Sequence, residues 1–139
     1  MIRACAHRAR GDAALVCEAI ALRGLAKLWI DRLPVDGWMR AADDRIGGAR
    51  HGTLDDLDRI TDPVLRRWWP TRTTCLPRAL ARYVMARRRG LPVVFVMGVR
   101  ESHDVLQAHA WLELDGVPIL EREPTDYRVT WRHPEEPDR

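Results

Sequence analysis

A cysteine stands at the start of a predicted helix in the segment TRTTCLPRAL, residues 71–80. A threonine before Cys75 can cap this helix, and Pro77 falls in its first turn, where the missing N–H costs little. The unpaired N–H groups and the dipole of a helix start both favour a thiolate. Because free cysteines are also often buried as small apolar groups, Cys75 is either a nucleophile or a core residue on position alone.

A histidine between two small residues supplies a possible partner for this thiol. His109 lies in QAHAWLEL, on a predicted strand, and the flanking alanines leave room for a helix end beside its ring. A thiol on a helix start and an imidazole on a later strand form the thiolate–imidazolium pair of thiol proteases. We therefore take Cys75 as the candidate nucleophile and His109 as the candidate base. His103, in the polar segment RESHD, fits a solvated loop better.

The strand after His109 decides which group orients the imidazole. Asp115-Gly116 separates two predicted strands, which we expect to pair as an antiparallel hairpin. A two-residue turn would place Arg122 opposite His109, and a cation is the wrong charge to hold an imidazolium.

A three-residue loop, residues 114–116, would shift the hairpin register and pair Glu113 with Val117. Glu121 would then lie opposite His109, roughly 5 Å away at Cβ, close enough for a hydrogen bond. We predict this register, with Glu121 as the third member of the site. A solvated glutamate at a strand end fits the spacing equally well.

Tryptophans near these residues are candidates for contact with a substrate. Trp111 shares the face of His109 by strand alternation, and Trp69 shortly precedes Cys75 in the sequence. Trp38, Trp69 or a backbone amide could supply the second N–H of an oxyanion hole. Tryptophans more commonly bury area, so each also fits a core position.

Helical patterns occupy the chain up to the end of the cysteine-bearing segment. Apolar spacing predicts an amphipathic helix over 12–31, and Gly and Asp residues predict an irregular loop over 34–52 with at most a short helix. Thr53 and Asp56 resemble a capping box that opens another helix. The cysteine-bearing helix is predicted over 75–89.

The pattern changes to strands after Gly90. LPVVFVMGV predicts a central strand, two shorter strands follow, and the charged tail from Arg122 onward is expected to be loosely held. The predicted fold class is α+β, with N-terminal helices and the cysteine-bearing helix packed on a small antiparallel sheet. With 139 residues, we expect a single domain. Its parts are a helical part over 1–70, a catalytic core over 71–125 and a polar tail over 126–139.

The charge of the chain does not indicate a nucleic-acid partner. The formal net charge is +3, but Lys27 is the single lysine and the arginines are scattered among acidic residues. No segment interleaves aromatic and basic residues, and no nucleic-acid reader motif is present. We expect a solvated arginine surface.

The cysteines indicate a reducing compartment. Cys5, Cys17 and Cys75 form no CxxC pair and have no zinc-ligand spacing, which predicts neither a disulfide framework nor a metal site, and no cofactor is indicated. Glu18 and Arg23 interrupt the apolar stretch near the N-terminus, which argues against a signal peptide or a membrane span. We therefore expect a cytoplasmic protein with no membrane association.

Two segments together resemble a known family. TCLPRALARYVMARRRGLPVVFVMGV and AHAWLELDGVPILE are similar to the transglutaminase-like, papain-related cysteine proteases of lasso peptide biosynthesis, the free-standing leader peptidases called B2 proteins. The resemblance covers about residues 60–125 and implies a papain/transglutaminase-like core. It implies Cys75 as nucleophile, His109 as base and then acid, and an acid on the next strand as orienter. The family most often has aspartate there, whereas the matching residue here is Glu121.

The same resemblance implies partners for the chain. The substrate would be the leader region of a precursor peptide, captured by a separate leader-recognition protein of the B1 type, and a macrolactam synthetase would act as a separate enzyme. No strand pattern precedes Cys75, so we expect leader recognition to come from another chain. Trp29, Trp38 and Trp68 are candidate aromatic anchors for that partner.

Two other functions fit the same residues. A transglutaminase-like or acetyltransferase-like enzyme would use the same thiol to pass an acyl group to an amine. A non-catalytic peptide-binding scaffold would instead keep Cys75 buried and unreactive.

Overall fold

The computed structural model describes residues 2–30, 32, 34–44, 52–67, 75–121 and 125–134. Within these residues it contains four α-helices and one four-stranded antiparallel sheet, which confirms the α+β prediction. The helices are α1 (Ile2–Ile30), α2 (Val35–Asp43), α3 (Leu54–Arg67) and α4 (Cys75–Arg87). The strands are β1 (Val94–Ser102), β2 (Val105–Leu114), β3 (Val117–Ile119) and β4 (Arg128–His133).

Local capping signals set the ends of two helices. At the start of α3, the backbone N–H of Thr53 donates to Asp56 Oδ2 at 3.1 Å, and the N–H of Asp56 donates to Thr53 Oγ1 at 3.3 Å. This reciprocal pair confirms the predicted capping box. After α4, Gly90 adopts a φ of 74°, the left-handed conformation that ends many helices.

Helix α1 buries one side of its sequence and exposes the other. Leu15, Ala19 and Ala26 are buried, as the helical spacing predicts. Cys17 of the same helix is exposed. None of the described helices is long and apolar enough to cross a membrane.

The sheet has the strand order β3-β2-β1-β4. Strands β1 and β2 form a long hairpin whose turn residues, His103 and Asp104, have φ values of 51° and 59°. The predicted loop over 100–104 is therefore mostly strand, because β1 continues to Ser102 before this two-residue turn.

The charged tail supplies the fourth strand, which corrects the expectation that it is loosely held. β4 pairs antiparallel with β1, and the ring of Trp131 lies 5.9 Å from that of Phe95. Its neighbour His133 lies 6.0 Å from the Tyr83 ring. Apolar and aromatic contacts on one face of this strand hold it to the core despite its polar composition.

Helix α4 lies at the centre of the molecule and contacts α1, α2, α3, β1 and β2. Its residues from Arg78 to Ala86 are all buried. The core around it includes Leu80, Tyr83, Met85, Phe95 and Leu112. The helix that begins at Cys75 is therefore fixed on several sides, which places its first turn firmly against the sheet.

A polar cluster ties β4 to the helices. Asp43 Oδ1 accepts hydrogen bonds from Tyr83 Oη at 2.8 Å and from Arg87 Nε at 3.2 Å, and His133 Nε2 lies 2.7 Å from Asp43 Oδ2. Burial acts to raise the pKa of Asp43, but these hydrogen bonds outweigh it and the pKa lies below its usual value. The cluster thus joins α2, α4 and β4.

Candidate active site

Cys75 is the first residue of α4, and its side chain is partly buried. Its Sγ lies 3.9 Å from the carbonyl oxygen of Ala108 on β2. β3 pairs only with Leu112, Glu113 and Leu114 of that strand. The thiol therefore lies against a part of β2 that does not pair with β3. The predicted capping threonines lie outside the described residues.

His109 is 4% exposed and lies on β2 opposite Gly98 of β1. Its ring is stacked with that of Trp111 at 5.8 Å and lies 5.2 Å from that of Tyr127. A Cβ on Gly98 would lie 2.8 Å from Tyr127 Cβ and 2.9 Å from Trp111 Cη2. The glycine therefore makes room for the two rings that hold the imidazole.

The hairpin between β2 and β3 has the two-residue turn, so the predicted three-residue loop is wrong. Leu114 pairs with Val117. Asp115 and Gly116 have φ values of 52° and 76°, the type I′ geometry that Asp-Gly favours. In this register Ile119 pairs with Leu112 and packs against the core, away from the face of the imidazole.

Glu121 nevertheless contacts His109. β3 ends at Ile119, and Leu120 has a φ of 55°, a left-handed conformation that turns the chain out of the ladder. Glu121 Oε2 then lies 3.2 Å from His109 Nε2, and its side chain is 3% exposed. The structure therefore brings Cys75, His109 and Glu121 together, by a route that the sequence pattern did not predict.

Two arginines of α4 contact the segment that carries this acid, and neither is among the site residues predicted from the sequence. Arg78 Nη2 lies 3.5 Å and 3.4 Å from the two carboxylate oxygens of Glu121, and Arg82 Nη1 donates to the carbonyl oxygen of Leu120. Arg78 and Arg82 follow Cys75 at i+3 and i+7. This helical spacing is the signal that could have assigned them to the same face as the thiol.

The contacts around the thiol favour its ionised form. Burial acts to raise the pKa of Cys75, but a hydrogen bond from His109, another from the backbone N–H of Ala110, and the positive charges of His109 and Arg78 hold it below its usual value. The hydrogen bonds of His109 to Cys75 and to Glu121 raise the pKa of the imidazole to about 9. These opposite shifts favour a thiolate–imidazolium pair at neutral pH.

The other predicted site residues occupy different surroundings. Trp111 is 2% exposed and donates from Nε1 to Glu113 Oε1 at 2.9 Å, so little of its surface is open to a substrate. Its role as a substrate contact stays a prediction. Trp38 is buried in the core, and Trp69 lies outside the described residues. His103 is exposed at the β1–β2 turn, in agreement with a solvated position.

A cavity of about 300 Å³ opens beside Glu121, between the first turns of α3 and the end of β3. Its lining is formed by Leu54, Asp55, Asp58, Ile119, Leu120 and Glu121. The acid of the candidate triad therefore has the imidazole on one side and this cleft on another.

One family model matches most of the chain. A family model described as "Transglutaminase-like superfamily" matches residues 19–132, a span that contains Cys75, His109 and Glu121. The chain belongs to the transglutaminase-like superfamily. Searches of curated proteins and of solved structures found no significant match. Members of the transglutaminase-like superfamily are typically cysteine proteases or acyltransferases, two activities that use a thiol nucleophile.

Proposed function

We propose that the chain is a cysteine peptidase that removes the leader segment of a ribosomally made precursor peptide during lasso peptide maturation. The proposal rests above all on the contact of a helix-start cysteine, Cys75, with an imidazole that Glu121 holds from its other side. Membership of the transglutaminase-like superfamily is compatible with it. The resemblance of the cysteine and histidine segments to lasso peptide leader peptidases supports the substrate.

The proposed reaction is transfer of the peptide acyl group first to sulfur and then to water. The thiolate of Cys75 attacks the scissile carbonyl, and the C–S bond forms as the carbonyl oxygen becomes an oxyanion. N–H groups at the start of α4, which have no partner within the helix, can donate to that oxyanion. The imidazolium of His109 protonates the leaving amine as the C–N bond breaks.

Release of the second product repeats the same steps with water. Neutral His109 takes a proton from water, and the hydroxide adds to the thioester carbonyl. Collapse of the intermediate breaks the C–S bond and restores the thiolate beside the imidazolium. Glu121 keeps the ring oriented through Nε2 in both halves, which leaves Nδ1 for the thiol.

The proposal includes separate partners and a cytoplasmic location. A leader-recognition protein of the B1 type would present the precursor, and a macrolactam synthetase would act on the released core peptide. Trp38 is 8% exposed, so the expectation that it serves as a surface anchor for such a partner is wrong. Trp29 and Trp68 have side chains outside those described. The exposed apolar residues of α1, Ile20, Leu25 and Leu28, are compatible with a partner near the N-terminal helices.

Cleavage of a precursor peptide tests the proposal. The chain is incubated with a lasso precursor, with and without its leader-recognition protein, and the products are identified by mass spectrometry. We expect one cut at the junction of leader and core, faster with the partner because linked binding raises the local substrate concentration. Cys75→Ala should abolish the cut, whereas Cys17→Ala, at an exposed position of α1, should retain it. Cleavage by Cys75→Ala would contradict the proposal.

Acyl transfer to an amine is the second candidate, because members of the superfamily include acyltransferases and the thioester is common to both reactions. Adding a primary amine to the cleavage assay separates the two. A hydrolase yields the free carboxylic acid of the leader in excess, whereas a transferase yields the amide as the main product.

A further inference from the structure

The helix that carries the nucleophile also carries the groups that hold the acid. Arg78 lies one turn after Cys75 on α4, and Arg82 lies one turn further; both are buried. The first contacts the carboxylate of Glu121, and the second contacts the carbonyl of Leu120, the residue that turns the chain toward the site. One helix therefore fixes the nucleophile, the acid and the backbone that presents the acid.

This arrangement answers two physical costs of placing Glu121 at the site. A carboxylate whose side chain is 3% exposed is expensive to ionise without a charged partner. A leucine in the left-handed conformation is strained and persists only where its surroundings hold it. Arg78 offsets the first cost with its charge, and Arg82 opposes the second with its hydrogen bond.

We propose that Arg78 is a positioning residue of the Cys75 site: it holds Glu121 ionised and oriented toward His109, and so sets the strength of the thiolate–imidazolium pair. Arg82 supports it from the backbone side. The inference rests on the proposed function only in taking Cys75 as the nucleophile. The effect of Arg78 on thiol ionisation can be measured without any peptide substrate.

Charged groups from several elements surround this arginine. Glu121 contacts it directly, and the positive charge of the arginine acts on the thiol of Cys75. On α1, burial and the charge of Arg78 both lower the pKa of Arg23. Asp55 and Asp58 of α3 line the cavity beside Glu121. Arg78 is connected to the imidazole of His109 through Glu121, which contacts both side chains.

Loss of Arg78 should make the thiolate harder to form. Without the arginine, the Glu121 carboxylate is harder to ionise and is no longer held toward His109, so the imidazolium loses its partner. The nearby thiolate also loses a positive neighbour. The pH midpoint of thiolate formation at Cys75 should therefore rise, by about one unit in Arg78→Met. Arg78→Lys keeps the charge but not the guanidinium nitrogen Nη2 that lies near both carboxylate oxygens, so a smaller rise is expected.

The rate of Cys75 alkylation by iodoacetamide, followed from acid to alkaline pH by mass spectrometry, gives this midpoint. Arg89→Met is the matched control, because Arg89 forms a buried ion pair with Glu18 just after the opposite end of α4. We expect Arg89→Met to lower thermal stability and to leave the midpoint unchanged. An unshifted midpoint in Arg78→Met, or an equal shift in Arg89→Met, would overturn the inference.

A double-mutant comparison identifies the route of the effect. In a Glu121→Gln background, Arg78→Met should raise the midpoint by less than half as much as in the unmodified chain, because its main target is already gone. An equal shift in both backgrounds would mean that Arg78 acts on the thiolate directly and would overturn the positioning role. If Arg78→Met does not fold, Arg78→Lys is measured in the same two backgrounds, and an unchanged midpoint again overturns it.

The outcome is separable from that of the proposed function. A chain that shows the Arg78 shift but cleaves no precursor would contradict leader peptidase activity and retain the inference. Cleavage of the precursor without the Arg78 shift would support leader peptidase activity and overturn the inference.

Discussion

Glu121 contacts His109 although the sheet does not pair the two residues. The β2–β3 ladder ends with Leu112 opposite Ile119, and the left-handed Leu120 then turns the chain so that the carboxylate lies 3.2 Å from the imidazole Nε2. A regular continuation of this ladder would instead place Arg122 opposite the histidine. The third member of the site therefore depends on a break in the strand.

Glu121→Gln should weaken the imidazolium while conserving the shape of the side chain. The hydrogen bond and charge of Glu121 help to raise the pKa of His109 to about 9. Removing the charge should lower that pKa toward the ordinary value of about 6.5. As the pH rises, the imidazolium would then lose its proton at a lower pH than in the unmodified chain, and the active thiolate–imidazolium form would be lost with it.

The measurement is the pH dependence of cleavage, or an NMR titration of the His109 ring. We expect the alkaline limb of Glu121→Gln to move down and the rate at neutral pH to fall roughly 10- to 100-fold. Asp55→Asn is the control, because it removes a carboxylate from the same cavity. A downward shift in the control and none in Glu121→Gln would contradict the assignment.

Gly98→Ala should disturb the ring stack behind the imidazole. The new methyl group would lie within 3 Å of both Tyr127 and Trp111, so one or both rings must move. We expect a loss of about 1–3 kcal/mol in the free energy of unfolding, together with slower alkylation of Cys75.

Gly24→Ala provides the matched control for this substitution. A Cβ on Gly24 meets no atom within 4 Å, and alanine favours helix over glycine by about 1 kcal/mol. This variant should be at least as stable as the unmodified chain. Equal stability of Gly98→Ala and Gly24→Ala in urea unfolding would show that the close contacts at Gly98 are absent.

Tyr83→Phe tests whether β4 is docked through Asp43. The substitution removes the hydroxyl that donates to the Asp43 carboxylate at 2.8 Å and leaves the buried ring in place. Hydrogen bonds to charged groups contribute about 1.5–3 kcal/mol, so the free energy of unfolding should fall by a similar amount. Chemical denaturation measures it. The alkylation rate of Cys75 should stay unchanged, and a loss of thiol reactivity without a loss of stability would contradict the structural role.

Local signals in the sequence predicted most of the helical part and the two ends of α4, the helix that begins at Cys75. The Thr53 and Asp56 pair, the position of Cys75 and the glycine at residue 90 each act within a few residues, where capping is decided. The chemistry of Cys75 and His109 was also predictable from the sequence, because a helix start and a histidine between two small residues on a strand each have a recognisable pattern.

Features that depend on the third dimension were not predictable in the same way. Pairing His109 with an acid requires a three-residue loop, whereas the Asp115-Gly116 turn follows its own backbone preference. Nothing in the sequence indicates that Leu120 adopts a left-handed conformation, because leucine rarely does so. The strand over 128–133 was hidden by its charged composition, since its cohesion comes from tertiary contacts with Phe95.

The pH dependence of Cys75 alkylation in the unmodified chain and in His109→Ala tests the central claim most directly. The thiol lies at a helix start in hydrogen-bond contact with a histidine whose pKa is raised to about 9. We predict that Cys75 reacts at neutral pH at least tenfold faster than the exposed Cys17. The midpoint should lie well below the ordinary thiol value of about 8.5, and His109→Ala should move it up toward that value. A midpoint near 8.5 in the unmodified chain, unchanged by His109→Ala, would contradict the assignment of Cys75 and His109 as a catalytic pair.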